Sequence, residues 1–163
     1  DTSYIKPLLE KFPNLLIVRT LSKFYGLPGL RLGFAFMGTS LTRFLNYSTK
    51  YLGYNRLSEE LGIAVLKATD YYQRVADQMA EDRQMYIDEL QPLEGFKVYE
   101  SNANFMLVKY PIELKEKLQA AFKAKGYLIK FMNEADINTH MRITLGTHHQ
   151  NCQVIETIKE VVC

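Results

Sequence analysis

The stretch from Arg19 to Gly33 reads Arg-Thr-Leu-Ser-Lys-Phe-Tyr-Gly-Leu-Pro-Gly-Leu-Arg-Leu-Gly, and it decides the fold. The apolar run from Leu15 to Val18 that leads into it has the composition of a buried strand. Three glycines and a proline after Lys23 indicate a loop. The sequence therefore predicts a strand that delivers one lysine onto a glycine-containing loop, with a second strand following over Leu32 to Met37.

The residues around Lys23 carry the chemistry needed to hold a phosphate beside an amine. Thr20 and Ser22 supply hydroxyl donors, and the guanidinium of Arg31 can donate two hydrogen bonds to one oxyanion. The primary amine of Lys23 can form an imine with a carbonyl compound. The alternative is an ordinary connecting loop, since glycine and proline are common in loops. The agreement of strand, Thr-x-Ser-Lys and Gly-Leu-x-Gly-Leu-Arg-x-Gly in one order favours the first interpretation.

This ordered pattern resembles the lysine segment of fold type I pyridoxal-phosphate enzymes, in the class II branch of the aminotransferases. Within that branch it is most similar to histidinol-phosphate aminotransferases and their threonine-phosphate decarboxylase relatives. The resemblance implies that the cofactor is pyridoxal 5'-phosphate and that Lys23 is the catalytic residue that carries the Schiff base. It also implies that Thr20, Ser22, Lys23 and Arg31 bind the cofactor, with the two hydroxyls and the guanidinium on its phosphate.

A second candidate site residue, Arg142, lies in the alternating segment 141–147, Met-Arg-Ile-Thr-Leu-Gly-Thr. The alternation predicts a strand with Arg142 on the same face as His140 and Thr144. That polar face meets either bulk water or a polar cleft, and the local pattern leaves the choice open. The phrase Arg-Ile-Thr-x-Gly-Thr resembles the family's substrate-carboxylate segment, which implies that Arg142 binds the substrate carboxylate.

Two asparagines also match positions of the family pattern. Asn55 aligns with an asparagine near the substrate pocket, which implies substrate binding, although an asparagine before a helix is commonly an N-cap. Asn104 lies in Ser-Asn-Ala-Asn-Phe, which resembles a family motif, and is expected to be a structural turn residue.

Lys130 departs from the family pattern. Many members that act on phosphorylated substrates carry arginine at the equivalent position, within Leu-Ile-Lys-Phe here. Lysine keeps the positive charge but loses the two-pronged guanidinium, which puts a phosphorylated substrate in doubt.

Composition and charge limit the classes to which the chain can belong. It has 163 residues, 47% of them hydrophobic, which suffices for one ordinary domain with a core, and no apolar run approaches a membrane span. Its net charge of +2, with basic and acidic residues evenly spread, argues against a nucleic-acid partner. The two cysteines, Cys152 and Cys163, lack metal-ligand spacing and favour a reducing, cytoplasmic compartment.

The remaining ionisable residues are interpreted as surface groups. Expected on the solvated face of a long helix are Arg74, Asp77, Glu81, Asp82 and Arg83. Expected at the surface or at strand ends are His140, His148 and His149, whose spacing is not typical of a metal site.

The predicted fold class is α/β, as the C-terminal part of a fold type I pyridoxal-phosphate transferase. Residues 1–52 are expected to be a remnant of the large-domain sheet that carries the cofactor lysine, 53–94 the linking helices, and 95–163 a small α+β domain. Asp1 lies too close to Lys23 to match the family's acidic partner of the pyridine nitrogen. It is therefore interpreted as a truncation point, and the chain as somewhat under half of a longer enzyme.

Hydrophobic periodicity predicts the elements of these parts. Two helices are expected, one from about Leu57 to Ala68 and a long one from Asp70 to about Leu90. A strand is expected at Leu128 to Phe131, and a last helix from about Gln150 to Val161.

The resemblance implies transamination between an amino acid, or an amino-phosphate, and a 2-oxo acid. Decarboxylation of an amino-acid phosphate is the near alternative, because both activities share these motifs. A second alternative is that this piece is a non-catalytic domain, and the fragment alone is expected to be inactive. When full length, the protein is expected to be a homodimer with small-molecule substrates and with neither nucleic-acid nor membrane partners. The amino donor and acceptor stay open.

Overall fold

The structure, a computed structural model, describes residues 3–45 and 55–162. Its helices are α1 (Ile5–Lys11), α2 (Arg56–Lys67), α3 (Thr69–Leu90), α4 (Lys115–Ala124) and α5 (His148–Val162). Its strands are β1 (Leu16–Thr20), β2 (Gly33–Met37), β3 (Lys97–Tyr99), β4 (Phe105–Lys109), β5 (Lys130–Phe131) and β6 (His140–Thr144). Short 3-10 helices cover Pro28–Leu30, Thr39–Phe44 and Ile112–Leu114. Asp1 and Cys163, both singled out in the sequence, lie outside the described residues.

The chain divides into two compact units, Asp1–Tyr72 and Gln73–Cys163. The division falls within α3, so this one helix supplies residues to both units. The expected three-part division stays a prediction, because its first boundary, between residues 52 and 53, lies in a segment that the structure does not describe. Although α3 has 22 residues, neither it nor any other helix of the described part is apolar enough to cross a membrane.

The pairing of β1 with β2 organises the first unit. The two strands run antiparallel in continuous register, from Leu16 opposite Met37 to Thr20 opposite Gly33. Beyond the last pair, the amide of Leu21 donates to the carbonyl oxygen of Leu32 at 3.2 Å. The two predicted strands are confirmed as elements, and the loop that joins them leaves and returns at neighbouring points. The predicted burial of the first strand is wrong, because Leu16 is 50% and Val18 63% exposed where β1 pairs with β2 alone among the described strands.

Gly38 ties the end of β2 to the chain before β1. Its amide donates to the carbonyl oxygen of Leu15 at 2.9 Å. A Cβ atom at Gly38 would lie 2.3 Å from the carbonyl oxygen of Pro13, so no other residue fits there unless the backbone moves.

Helix α2 packs against both ends of the loop that carries Lys23. Gly62 is buried in this helix, and a Cβ atom there would lie 2.7 Å from Cδ1 of Leu32 and 3.4 Å from Cδ1 of Leu21. The missing side chain lets the helix approach the two leucines that flank the loop. Leu21 is buried as a result, and the helix predicted from residue 57 is confirmed as an element that supports the loop.

The second unit is a four-stranded antiparallel sheet in the order β3-β4-β6-β5, with helices packed on one face. Alternate strand residues point into a core that also takes residues from α3, α4 and α5. The fully buried members of this core include Tyr86, Leu90, Met106, Val108, Leu118, Met141, Ile143 and Ile158. The predicted α+β arrangement of this part of the chain follows from that alternation.

Strand β5 is shorter than the sequence predicts. It begins at Lys130 instead of Leu128, and the Leu128 side chain is 99% exposed. The chain is still leaving α4 at this point, because Gly126 has φ +80° and the amide of Tyr127 donates back to the carbonyl oxygen of Phe122. Only the last two residues of the predicted strand therefore pair with β6.

Helix α5 begins at His148, two residues before the predicted start. A reciprocal capping box explains the difference. The Gln150 amide donates to Oγ1 of Thr147 at 3.3 Å, and the Thr147 amide donates to Oε1 of Gln150 at 2.9 Å. The side-chain oxygens satisfy two amides that the first helical turn leaves without partners.

Truncation of Leu118 to alanine is expected to lower the free energy of unfolding by about 2–5 kcal/mol, because a fully buried side chain leaves a cavity. Leu128→Ala is the matched control, since it removes the same atoms from an exposed site, and it should change stability by less than about 0.5 kcal/mol. Urea unfolding measures both. Equal losses would contradict the described packing of α4.

Candidate functional site

Lys23 is the first residue of a compact turn that follows β1. The amide of Gly26 donates to the carbonyl oxygen of Lys23 at 2.9 Å, and Gly26 takes φ +68°, which glycine adopts without steric cost. The amide of Leu27 then donates to the carbonyl oxygen of Leu21 at 3.0 Å. The turn is fixed by its backbone, and the Lys23 side chain is exposed, with no hydrogen bond or ion pair to any described residue.

The structure brings the hydroxyls of Thr20 and Ser22 together. Their oxygen atoms are 2.8 Å apart, and the amide of Ser22 donates to Oγ1 of Thr20 at 3.1 Å. Oγ1 of Thr20 also lies 3.3 Å from the carbonyl oxygen of Leu32. The hydroxyl pair is therefore anchored both at the end of β1 and to the residue that follows Arg31.

Arg31 has a strained backbone. It takes φ 53° and ψ 38°, and among the described residues it alone combines a positive φ with a side chain. This left-handed conformation costs roughly 1–2 kcal/mol for a residue with a Cβ atom. Strain of this kind is concentrated at functional sites. One nitrogen of its guanidinium donates to the carbonyl oxygen of Pro28 at 3.1 Å, which leaves the other donors available.

Arg142 lies on β6 in the second unit, opposite Leu107 of β4 and Lys130 of β5. Its side chain is exposed, and the guanidinium carbon is 5.4 Å from the centre of the Phe105 ring. Such contact between a guanidinium and an aromatic ring restricts the side chain while leaving its N–H donors accessible. Arg142 and Lys130 form a pair of adjacent cations on the exposed face of the sheet.

Asn55 is the N-cap of α2. Its Oδ1 accepts from the amides of Leu57 at 2.9 Å and Ser58 at 3.4 Å. Neighbouring residues 46–54 are outside the described part of the chain. The helix-capping interpretation is thus the one that the geometry supports directly, and the substrate role of Asn55 stays a prediction.

Asp82 corrects an expectation. It is expected on the solvated face of the long helix, yet its side chain is only 1% exposed. It accepts hydrogen bonds from His148 at 2.6 Å and Asn151 at 2.8 Å. These partners satisfy a buried carboxylate that would otherwise be strongly destabilising. The signal in the sequence is its place four residues before Tyr86, in the apolar stripe of α3.

His140 lies at a strand end and His148 at the surface, as expected, but each has a hydrogen-bond partner. His140 is buried, and its Nε2 is 3.1 Å from the hydroxyl oxygen of Tyr99. His148 is half exposed but paired with Asp82. Asn151, which the sequence analysis does not single out, is fully buried on α5. Within residues 3–45 and 55–162, no group of three His, Cys, Asp or Glu side chains has the geometry to hold a metal ion.

Comparison with known proteins establishes the class first. A model of the class I and II aminotransferases matches residues 2–158, and the chain belongs to this family. More particularly, the chain is 31% identical over 162 residues to histidinol-phosphate aminotransferase 2 of Archaeoglobus fulgidus, covering 99% of this chain and 46% of that protein. The resemblance inferred from the lysine segment is confirmed.

Solved structures show the same fold. The histidinol-phosphate aminotransferase of Clostridium acetobutylicum superposes with a TM-score of 0.80 at 21% identity, covering 98% of this chain and 48% of that one. The L-threonine-O-3-phosphate decarboxylase of Porphyromonas gingivalis superposes with a TM-score of 0.72 at 20% identity, covering 94% and 48%. The predicted fold class, α/β and matching the C-terminal half of fold type I enzymes, is confirmed. The chain spans about half the length of the relatives that it matches.

Arg31→Gly is expected to leave the free energy of unfolding unchanged or to raise it by up to about 1 kcal/mol, because glycine adopts a positive φ without strain. Arg43→Gly is the control at an exposed arginine without positive φ, and it should lower stability by roughly 0.5–1 kcal/mol. Urea unfolding distinguishes the two. A larger loss at Arg31 than at Arg43 would show that position 31 is not strained.

Asn55→Ala is expected to lower the stability of the first unit by about 1 kcal/mol, while Asn55→Ser retains an oxygen that can cap α2 and should change stability by only a few tenths. Thermal unfolding measures this difference. The predicted substrate role adds a second expectation, since Asn55→Ser lacks the amide and should weaken substrate binding by the full-length protein. Unchanged binding by Asn55→Ser would leave Asn55 as a helix cap alone.

Proposed function

We propose that the full-length protein is a pyridoxal-phosphate-dependent aminotransferase that moves an amino group between an amino acid, or an amino-phosphate, and a 2-oxo acid. The observation that carries this proposal is the Lys23 loop, where an exposed amine follows a fixed pair of hydroxyls and the same loop ends at an arginine with a strained backbone. Membership in the aminotransferase family supports it.

The donors of this loop fit the phosphate end of the cofactor. Thr20 and Ser22 offer hydroxyl groups, and the guanidinium of Arg31 offers several N–H donors and a positive charge. Charge-assisted hydrogen bonds of this kind are stronger than neutral ones. These three residues would hold the phosphate, and the contact of the Thr20 hydroxyl with the Leu32 carbonyl oxygen would keep the hydroxyl pair in place.

Lys23 would perform the proton chemistry. Bound at this loop, pyridoxal phosphate would supply an electron sink that no side chain provides. The exposed amine of Lys23 would hold the cofactor at its aldehyde carbon, whose oxygen would leave as water. When an amino substrate takes its place, the same nitrogen can accept the proton of the substrate α carbon and return it.

Arg142 would hold the substrate carboxylate through two parallel hydrogen bonds. A carboxylate held in one orientation determines which bond at the α carbon breaks, and so separates transamination from decarboxylation. Lys130, directly opposite Arg142 on β5, can meet a second anionic group only as a single point charge, which does not favour a phosphorylated substrate.

We further propose that the full-length protein is a cytoplasmic homodimer that acts on small molecules and binds neither nucleic acid nor membranes. The family resemblance supports the dimer, and the near balance of acidic and basic residues supports the absence of polyanionic partners. Light scattering during gel filtration of the full-length protein tests the dimer.

Titration of the full-length protein with pyridoxal phosphate is expected to produce the visible absorption of a lysine-bound aldehyde, and Lys23→Ala should abolish it. Lys67→Ala, at another exposed lysine of the first unit, is the control and should behave as the wild type. Pyridoxal, which lacks the phosphate, should bind at least about tenfold more weakly, since a charge-assisted hydrogen bond contributes 1.5–3 kcal/mol. Arg31→Ala should reduce that preference.

The outcomes separate the alternatives. Colour retained in Lys23→Ala would overturn the assignment of Lys23. Colour in the full-length protein without transfer of an amino group, but with release of carbon dioxide from an amino-acid phosphate, would favour the decarboxylase. No colour in the full-length protein would favour a non-catalytic domain.

A further inference from the structure

Asn151 holds both backbone groups of Gly146 from a buried position. Its Oδ1 accepts from the amide of Gly146 at 3.0 Å, and its Nδ2 donates to the carbonyl oxygen of the same residue at 3.3 Å. The remaining positions are also occupied, since Nδ2 donates to Asp82 at 2.8 Å and Oδ1 accepts from Tyr86 at 3.5 Å. A buried amide with every hydrogen-bonding position used has one orientation only.

Asp82 fixes Asn151 from a different helix. One carboxylate oxygen accepts from Asn151, and the other accepts from His148 at 2.6 Å and Gln78 at 3.3 Å. Burial raises the pKa of the neighbouring Tyr86 hydroxyl, and the negative charge of Asp82 raises it further. A buried carboxylate is weak evidence for stability but can specify one arrangement of the elements that it joins. Here it joins α3 to α5.

The segment that Asn151 holds is the end of the strand that carries Arg142. Strand β6 pairs along its length with β4, but β5 pairs only with Met141 and Arg142. Beyond Thr144, the amide of Leu145 donates to the carbonyl oxygen of Asn104 at 3.0 Å, and Gly146 then meets Asn151. The two hydrogen bonds between Asn151 and Gly146 therefore hold the end of the strand that does not pair with β5.

The turn before β4, which is hydrogen-bonded to the end of β6 through Asn104, is also hydrogen-bonded to α3. Arg83, next to Asp82 on α3, donates to the carbonyl oxygen of Ala103 at 3.4 Å. Ala103 lies in the turn before Phe105, and that turn is closed by Ser101, whose hydroxyl donates to the Phe105 carbonyl oxygen at 2.7 Å. Phe105 is the ring on which the Arg142 guanidinium rests. Helix α3 therefore fixes both the strand of Arg142 and the ring beneath its side chain.

We propose that Asp82 and Asn151 are positioning residues for substrate recognition, which hold the end of β6 so that the Arg142 guanidinium presents its donors in one orientation. The proposal rests on the proposed role of Arg142 in binding the substrate carboxylate. Neither Asp82 nor Asn151 touches the substrate, because both side chains are buried beneath the sheet end. Their effect acts through Arg142.

A double-mutant cycle in the full-length protein, loaded with pyridoxal phosphate, tests this with L-glutamate as the amino-donor probe. Asn151→Ala is expected to raise the KM for glutamate about tenfold, with the cofactor absorption unchanged. Asp82→Asn keeps the shape and is the milder second variant, should Asn151→Ala fail to fold. In an Arg142→Ala background, either substitution should change KM by less than twofold, since coupled residues are not additive.

Thr157→Val is the control. Thr157 is fully buried on α5, and its hydroxyl donates to the carbonyl oxygen of Gln153 within the same helix. It should alter thermal stability without altering KM. The positioning role would be overturned if Asn151→Ala and Asp82→Asn leave KM unchanged, or if they raise it equally in the presence and absence of Arg142. Either result would leave the substrate role of Arg142 intact. If Arg142→Ala itself leaves KM unchanged, the substrate role of Arg142 is wrong and this proposal is overturned with it.

Discussion

The pairing of β1 with β2 is the constraint on which the candidate cofactor site depends. It places Thr20 opposite Gly33 and extends one step further, where the amide of Leu21 meets the carbonyl oxygen of Leu32. A loop that leaves and returns at neighbouring points must reverse its direction within a few residues. The reversal uses the positive φ of Gly26 early in the loop and that of Arg31 at its end. The strain at Arg31 thus occurs where the loop closes onto β2.

Arg31 and Arg142 are held in place by different kinds of contact. Arg31 is placed by its own backbone and by one hydrogen bond to Pro28. Arg142 has ordinary strand geometry, and its environment restrains it instead, through the ring of Phe105 and through the buried contacts of Gly146 with Asn151. The geometry of a turn fixes the position of a residue at the end of a loop. A residue within a strand takes its position from the contacts that hold the strand. This difference explains why a buried polar network accompanies one arginine and not the other.

Local patterns in the sequence predict much of this architecture. Periodicity and composition locate β1, β2, α2 and α3, and the apolar stripe of α3 buries Tyr86 and Leu90 as expected. Burial is less predictable, because β1 and α2 leave large apolar side chains such as Val18 and Leu57 exposed. The lysine loop is also predictable, because its glycines, hydroxyls and arginine lie within fifteen consecutive positions, 19–33. The hydrogen-bond partner of Asp82 is not predictable, because Asn151 is 69 residues away, although the place of Asp82 in the apolar stripe of α3 signals its burial. The short β5 depends on where α4 ends, and the left-handed Arg31 has no local marker, since asparagine or glycine would normally signal it.

Chemical trapping of the cofactor on the full-length protein tests whether Lys23 is the lysine that bonds to pyridoxal phosphate. Pyridoxal phosphate is added, the carbon–nitrogen bond is reduced with borohydride, and the labelled peptide is mapped by mass spectrometry. One pyridoxyl group per chain is expected, on Lys23 and within the peptide that also contains Thr20 or Arg31, depending on the protease. Label on Lys67 or Lys130 with Lys23 unmodified, or label scattered over many lysines, would contradict it.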